Sequence, residues 1–414
     1  MLGFTFESGS GPLRALHFVM TDRRSAKWFL ACAAASILFI IGMKIPIGPE
    51  FLTGTLLACL VFHLWLRPRK AEFGSVVVVA VVLTAARLYF GNPIPPDVGL
   101  WNCFSMMLGL GSLLIQGVLL PFSGATFKNR WTAFSSGVAC VVFLMFSTVP
   151  LLFAAAHTPL TFDLYLLEFD RALGGDISFW ISRVVLSSNL LLNLVAFAYG
   201  GLALDVAIVV GSQLFEQRTG RCNLLLVLGA AGAVGYLLYP VVPANGPRFL
   251  FPDFPHHTPA AIVPRLIPVD ADAMRNAVPS LHFSWTLLIF WMARNRQTLV
   301  RWTAGAFLGL TFVATMALGQ HYFVDLVVAL PFTIVFIGLS ERKYRVAIGA
   351  AAILFGWLFT LRFLPLLPVR LGLWTWLPVV LTIAATLASL RQVLRPTCSI
   401  IPSATTASAE KRAV

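Results

Sequence analysis

The sequence predicts an all-α, polytopic membrane protein of about twelve transmembrane helices. Three observations carry this. Hydrophobic residues make up 58% of the 414-residue chain and charged residues only 11%, roughly half the charge of an ordinary soluble domain. Apolar runs of about 20 residues recur from end to end, each long enough to cross about 30 Å of hydrocarbon. The cations alternate by loop instead of gathering on one face.

Taken in order, the spans are expected to begin near Trp28, Phe51, Gly74, Leu100, Trp131, Asn189, Cys222, Leu281, Leu299, Tyr322, Arg345 and Leu371. The polar segment ahead of Trp28 carries Arg23, Arg24 and Lys27. The apolar run after it is too long for a removable signal and lacks small residues at a cleavage site, so it reads as a retained anchor. Cations follow every second span: Arg67, Arg69 and Lys70; Lys128 and Arg130; Arg218 and Arg221; Arg294, Arg296 and Arg301; Arg342, Lys343 and Arg345; then Arg391 and Arg395. This alternation puts both termini in the cytoplasm and the opposite loops in a periplasm or lumen. The preference for Arg over Lys points to a GC-rich bacterium, hence an inner membrane and a periplasm. The net charge of +13 is therefore a topology signal, and nucleic acid is not an expected partner.

Two segments break the rhythm of span and short loop. Residues 156–180 are amphipathic and read as one helix in the outer interface. Phe162, Leu166 and Phe169 are expected to face lipid there, and Asp163, Glu168 and Asp170 to stay wet, with capping or loop anchoring as the alternative for the aspartates. Residues 240–279 carry nine prolines, which favour a stiff, extended cover over regular helix. The tail from Pro396 is rich in Ser, Thr and Ala and reads as disordered. The six cysteines, at 32, 59, 103, 140, 222 and 398, are scattered without metal-ligand spacing and read as packing residues.

The chemistry concentrates in "NAVPSLHFSWTLLIF", residues 276–290, and in "ATMALGQHYFVDLVVALP", residues 314–331. His282 and His321 are 39 positions apart. At 1.5 Å per residue that distance is one crossing, a turn and one crossing back, so both imidazoles return to the same outer surface. Asp325 lies four residues after His321, on the same helical face, where a carboxylate can accept the Nδ1 proton and leave Nε2 as nucleophile or base. Ser280 can cap the helix after Pro279, and the N–H groups beyond it, from Leu281 onward, suit an anion. Arg248 in "PANGPRF" offers bidentate phosphate geometry, with Arg275 as a second candidate cation. A nucleophilic His, its orienting carboxylate, an acid–base His and an anion cradle suit phosphoryl transfer through a phosphohistidine. Nothing resembles a carboxylate cluster for a divalent metal, so no cofactor is expected.

"PSLH" followed by "HYFVD" resembles the type 2 phosphatidic acid phosphatase (PAP2) superfamily. More narrowly it is similar to the branch with the fungal inositol phosphorylceramide synthases, where Leu rather than Gly precedes the histidine and a stretch like "FDLYLLEFDRALGG" lies upstream. The resemblance implies a six-helix catalytic core at 131–340, with accessory helices at 1–130 and 341–395 and a cytoplasmic tail at 396–414. It implies that His321 is the nucleophile, His282 the acid for the leaving group and Asp325 the orienting residue. Two family cations are missing: the Lys of the first motif has no counterpart, Arg248 in "GPRF" standing loosely for its Arg-Pro pair, and Thr315 stands where an Arg is usual six residues before the nucleophile.

The expected function is transfer of a phospho-headgroup from a phospholipid or lipid phosphate to a lipid alcohol, as in sphingolipid synthesis. The alternative is a phosphatase for phosphatidate or polyprenyl phosphate, with water as acceptor. The competing class is a transporter, for which Arg87 and Asp205 would be the intramembrane ionisable groups to inspect.

Overall fold

In the computed structural model the described residues are 49–90, 99–215, 223–257, 262–270 and 273–394. The expected span near Trp28, Arg218, Arg221 and the tail from Pro396 lie outside them. The described chain is essentially all-α. Seven helices are long and apolar enough to cross a membrane, or eight if Ile177–Leu186 and Asn189–Gly200, bent by 118°, form one broken span. Four more apolar helices are shorter. Among the described residues, the expectation of about twelve spans therefore rests on seven long helices plus these shorter ones.

The first group comprises α1 (Pro49–Trp65), α2 (Lys70–Phe90), α3 (Gly99–Leu119) and α4 (Phe127–His157). After a two-residue strand, β1 (Leu160–Thr161), come α5 (Asp163–Ala172), α6 (Ile177–Leu186), α7 (Asn189–Gly200), α8 (Leu202–Phe215) and α9 (Leu224–Leu238). The proline-rich segment holds one turn of helix, α10 (Pro247–Leu250), and a strand, β2 (Ile267–Pro268), antiparallel to β1. Then follow α11 (Leu281–Ala293), α12 (Thr298–Ala317), α13 (Phe323–Ser340), α14 (Tyr344–Phe363), α15 (Leu367–Leu371) and α16 (Trp376–Leu394).

Helix α13 is the most enclosed of the candidate spans and packs against α11, α14 and α16. Helix α1 joins the two halves, packing on α3 and α4 on one side and on α7 and α8 on the other. Gly54 makes the second contact possible: a Cβ there would lie 2.2 Å from the Gly200 carbonyl oxygen. Small residues let membrane helices approach this closely.

The 156–180 segment differs from its expectation. It is two helices, α5 and α6, and Phe162, Leu166 and Phe169 are buried rather than facing lipid. The reason is the C-terminal helices. Trp357 of α14 packs its ring 5.8 Å from that of Phe169, Arg362 lies over the Phe162 ring, and the Trp376 indole donates to the Leu173 carbonyl at 2.8 Å. With its apolar face covered from one side, α5 turns its aspartates into the protein.

Candidate active site

His321 sits in the two-residue link between the turn closing α12 and the start of α13. The Thr315 carbonyl accepts the N–H groups of both Gln320 and His321, at 3.1 and 3.0 Å, and the Ser178 hydroxyl donates to the His321 carbonyl at 2.9 Å. The backbone is thus held from two sides. The imidazole Nδ1 lies 3.0 Å from the Ala277 carbonyl and 3.4 Å from Asp325 Oδ2. A carbonyl only accepts, so Nδ1 carries the proton and Nε2 keeps its lone pair. The Asp325 carboxylate makes its short contact elsewhere, accepting the Tyr322 N–H at 2.8 Å. The tautomer expected from Asp325 is therefore imposed first by a backbone carbonyl. Burial lowers the His321 pKa to about 4, against the pull of the Ala277 hydrogen bond.

His282 stands in the first turn of α11, half-buried, and close enough to His321 for the two rings to repel when charged. Its ring lies among Tyr199, Phe51 and Trp285. Ser280 occupies the N-cap position, yet its hydroxyl makes no capping bond and is buried without a partner. The expected cap is absent for that reason. The backbone of Ser280 instead ties the two helices together, its N–H donating to the Asp325 carbonyl at 3.3 Å. Among the described residues the N–H groups of Leu281, His282 and Phe283 also meet no acceptor. One hydroxyl and three N–H groups thus converge at the positive end of a helix, an arrangement suited to anionic oxygens.

The aspartates expected to be wet do the positioning. Asp163 accepts N–H groups of Asn245 and Gly246, at 3.1 and 2.9 Å, and the Tyr322 hydroxyl at 3.1 Å. Asp170 accepts the Phe323 and Val324 N–H groups at 2.8 and 3.3 Å. Burial pushes both carboxyls up from the ordinary range, and the N–H groups they accept pull them back. Solvation was the wrong reading of these residues and anchoring the right one. Their seven-residue separation on one helix face was the available signal.

The arginines part company. Arg275 is fully buried, and its guanidinium donates to the carbonyls of Thr158, Val269, Asp270 and Ala273 and to Asn245 Oδ1. It clamps the proline-rich loop, and its expected role as a phosphate ligand has no free face to work with. Arg248 is exposed, and its backbone N–H donates to the Gly319 carbonyl at 3.0 Å, two residues before His321. That packing depends on Gly246, whose φ is +100° and where a Cβ would lie 2.3 Å from the Gln320 carbonyl oxygen. Of the residues a transporter would use, Arg87 is exposed, and Asp205 is fully buried with neither oxygen hydrogen-bonded.

Residues 164–339 match the model of the PAP2 superfamily. Its members are phosphatases and phosphotransferases that act on lipid phosphates. The matched segment holds both histidines, Asp325, Asp170 and Arg248, and stops short of α1–α4 and of α14–α16. Phe51, which touches His282, comes from outside it. No curated protein and no solved structure matches the chain.

Proposed function

We propose that the protein is an integral-membrane lipid phosphotransferase that moves a phospho-headgroup between lipids through a His321-linked intermediate, without a metal. The observation that carries this is the His321 ring: its Nδ1 proton is committed to the Ala277 carbonyl, so Nε2 is available beside a second imidazole and an open helix N-terminus. In the first step Nε2 attacks phosphorus and the bond to the leaving oxygen breaks, with His282 giving that oxygen its proton. In the second, His282 takes the proton of the acceptor hydroxyl, whose oxygen attacks phosphorus as the N–P bond breaks. Ser280, the N–H groups of Leu281, His282 and Phe283, and Arg248 hold the anionic oxygens.

The commitment of Arg275 to its loop supports a donor with a single negative charge at phosphorus, a phosphodiester, since one expected cation is withdrawn. Near-complete burial of His321, 1% exposed, supports transfer to an alcohol over transfer to water. Within the superfamily this favours the inositol phosphorylceramide synthase-like reading, with a ceramide-type acceptor. Hydrolysis is the second reading, favoured by the partial exposure of His282 beside the more deeply buried His321.

We place the catalytic core at 131–340 and the site on the non-cytoplasmic side, both termini being cytoplasmic. The end of α1, the start of α4 and the ends of α11 and α13 support this, because their basic residues lie at the helix ends opposite the histidines.

Lipid mass spectrometry on purified protein in EDTA tests the reading. Wild type and His321→Ala are incubated with phospholipids and lipid phosphates, with and without an alcohol acceptor. Donor consumption by the wild type alone, with an acceptor-linked product, is expected. Activity that survives in His321→Ala, or that EDTA removes, would sink the mechanism.

A further inference from the structure

The two imidazoles are held by different forces. His321 is fixed by hydrogen bonds, whereas among the described residues no hydrogen bond holds the His282 ring. Three aromatic rings surround it instead. Tyr199 stacks on it, with centroids 4.2 Å apart and planes at 16°. Phe51 lies at 5.7 Å and 48°, and Trp285 meets it edge-on at 6.0 Å and 66°. Phe51 and Tyr199 also touch each other, at 5.6 Å and 61°.

Each wall has its own anchor. The Trp285 indole donates to the Leu228 carbonyl of α9 at 3.1 Å. Tyr199 belongs to the last turn of α7, which ends at Gly200. Phe51 lies one turn before Gly54 on α1, and Gly54 is where α1 meets the Gly200 backbone. The contact that docks the N-terminal helices on the core is therefore the contact that seats Phe51 against Tyr199 and His282.

We infer that Tyr199 and Phe51 are positioning residues that hold the His282 ring for proton transfer, and that α1, outside the matched segment, thereby completes the active site. This rests on the reading of His282 as the acid for the leaving oxygen. A general acid must keep one nitrogen aimed at that oxygen, and a displacement of about 1 Å can cost about 100-fold in rate. With no hydrogen bond to aim the ring, stacking takes that part. The face of Tyr199 is also a surface that tolerates the charge an imidazole carries between gaining a proton and giving it up.

The test exploits the leaving group. A dialkyl phosphodiester loses an alkoxide that needs a proton as the P–O bond breaks. The matched alkyl para-nitrophenyl phosphodiester loses a phenolate that departs as the anion. Full-length wild type, Tyr199→Leu, Tyr199→Phe, Phe51→Leu and His321→Ala are compared on both. Tyr199→Leu is expected to lower kcat on the dialkyl ester by about 100-fold, with little change in KM and little change on the nitrophenyl ester. Tyr199→Phe keeps the ring and should turn over both esters at close to the wild-type rate. Phe51→Leu should show the same pattern more weakly, and His321→Ala should be inactive on both. Equal losses on the two esters, or none on either, would overturn the inference while leaving the function standing. Turnover of neither ester by the wild type would sink the functional reading, and this inference with it.

Discussion

Two helices begin at the candidate site, and their N-termini are treated in opposite ways. At α13, Asp170 takes the N–H groups of Phe323 and Val324, and Asp325 takes that of Tyr322. At α11, the N–H groups of Leu281, His282 and Phe283 meet no acceptor among the described residues, and the buried Ser280 hydroxyl has none either. Each N-terminus carries about half a positive charge. One is closed by the protein's own carboxylates and serves to hold His321; the other keeps unpaired donors, as the proposed anion cradle requires. The difference shows how one local motif, a helix start next to a histidine, is closed as scaffold in one place and left with unpaired donors in the other, where the proposed function puts the phosphate.

The largest effect expected is at the closed side. His321→Ala should remove turnover by about 10,000-fold or more, as loss of a nucleophile does in enzymes that use one. Retained donor consumption in a lipid assay would break the assignment. Next comes an attempt to make the open end resemble the closed one. Ser280→Asp puts a carboxylate at the α11 N-terminus, where it should occupy the cradle and lower kcat/KM by about 100-fold or more while leaving the protein folded, since two to three lost charge-assisted bonds are each worth about 1.5–3 kcal/mol. An active variant would show that phosphate does not bind there.

The converse change opens the closed end. Asp170→Ala leaves two buried N–H groups without acceptors, at about 1–3 kcal/mol each, and should lower the unfolding midpoint in detergent. Asp170→Asn, which keeps an acceptor oxygen, should lose less. Equal stability in all three would mean that Asp170 does not hold α13. Ser280→Ala should cost about tenfold in kcat/KM, the loss of one hydrogen bond to a charged oxygen.

The smallest effect concerns pH. Attack requires neutral His321, and burial lowers its pKa to about 4. The neutral form therefore persists well below the usual histidine range, and on the alkyl para-nitrophenyl phosphodiester, whose leaving group needs no proton from His282, the first-step rate should stay level from pH 7 to pH 5 and fall as pH drops through about 4. A rate that halves near pH 6.5 would show an ordinary, solvated ring.

Local pattern carried some of this and misled elsewhere. The 39-residue interval between the histidines implied a shared surface because helix rise and membrane thickness are constants, and residues 281–293 and 298–317 do form a hairpin of two helices. At Asp163 and Asp170 the pattern misleads, because a polar stripe on an amphipathic helix looks the same whether it faces water or buried backbone N–H groups. Ser280 looked like a cap because the residue type fits, but a cap is a geometry, and the hydroxyl does not adopt it.

The sequence by itself determined the membrane class, the helical architecture and the pairing of two histidines with a carboxylate four residues after the second. Those depend on composition, on the helical period and on the fixed number of residues that one crossing takes. Only the tertiary structure decided that Ala277 sets the His321 tautomer, that Arg275 serves the loop rather than a phosphate, and that α1 brings Phe51 to His282. Each of these joins groups many positions apart, through a carbonyl or a ring face that no local pattern marks. Which of many identical backbone acceptors a side chain meets is settled by how the helices pack.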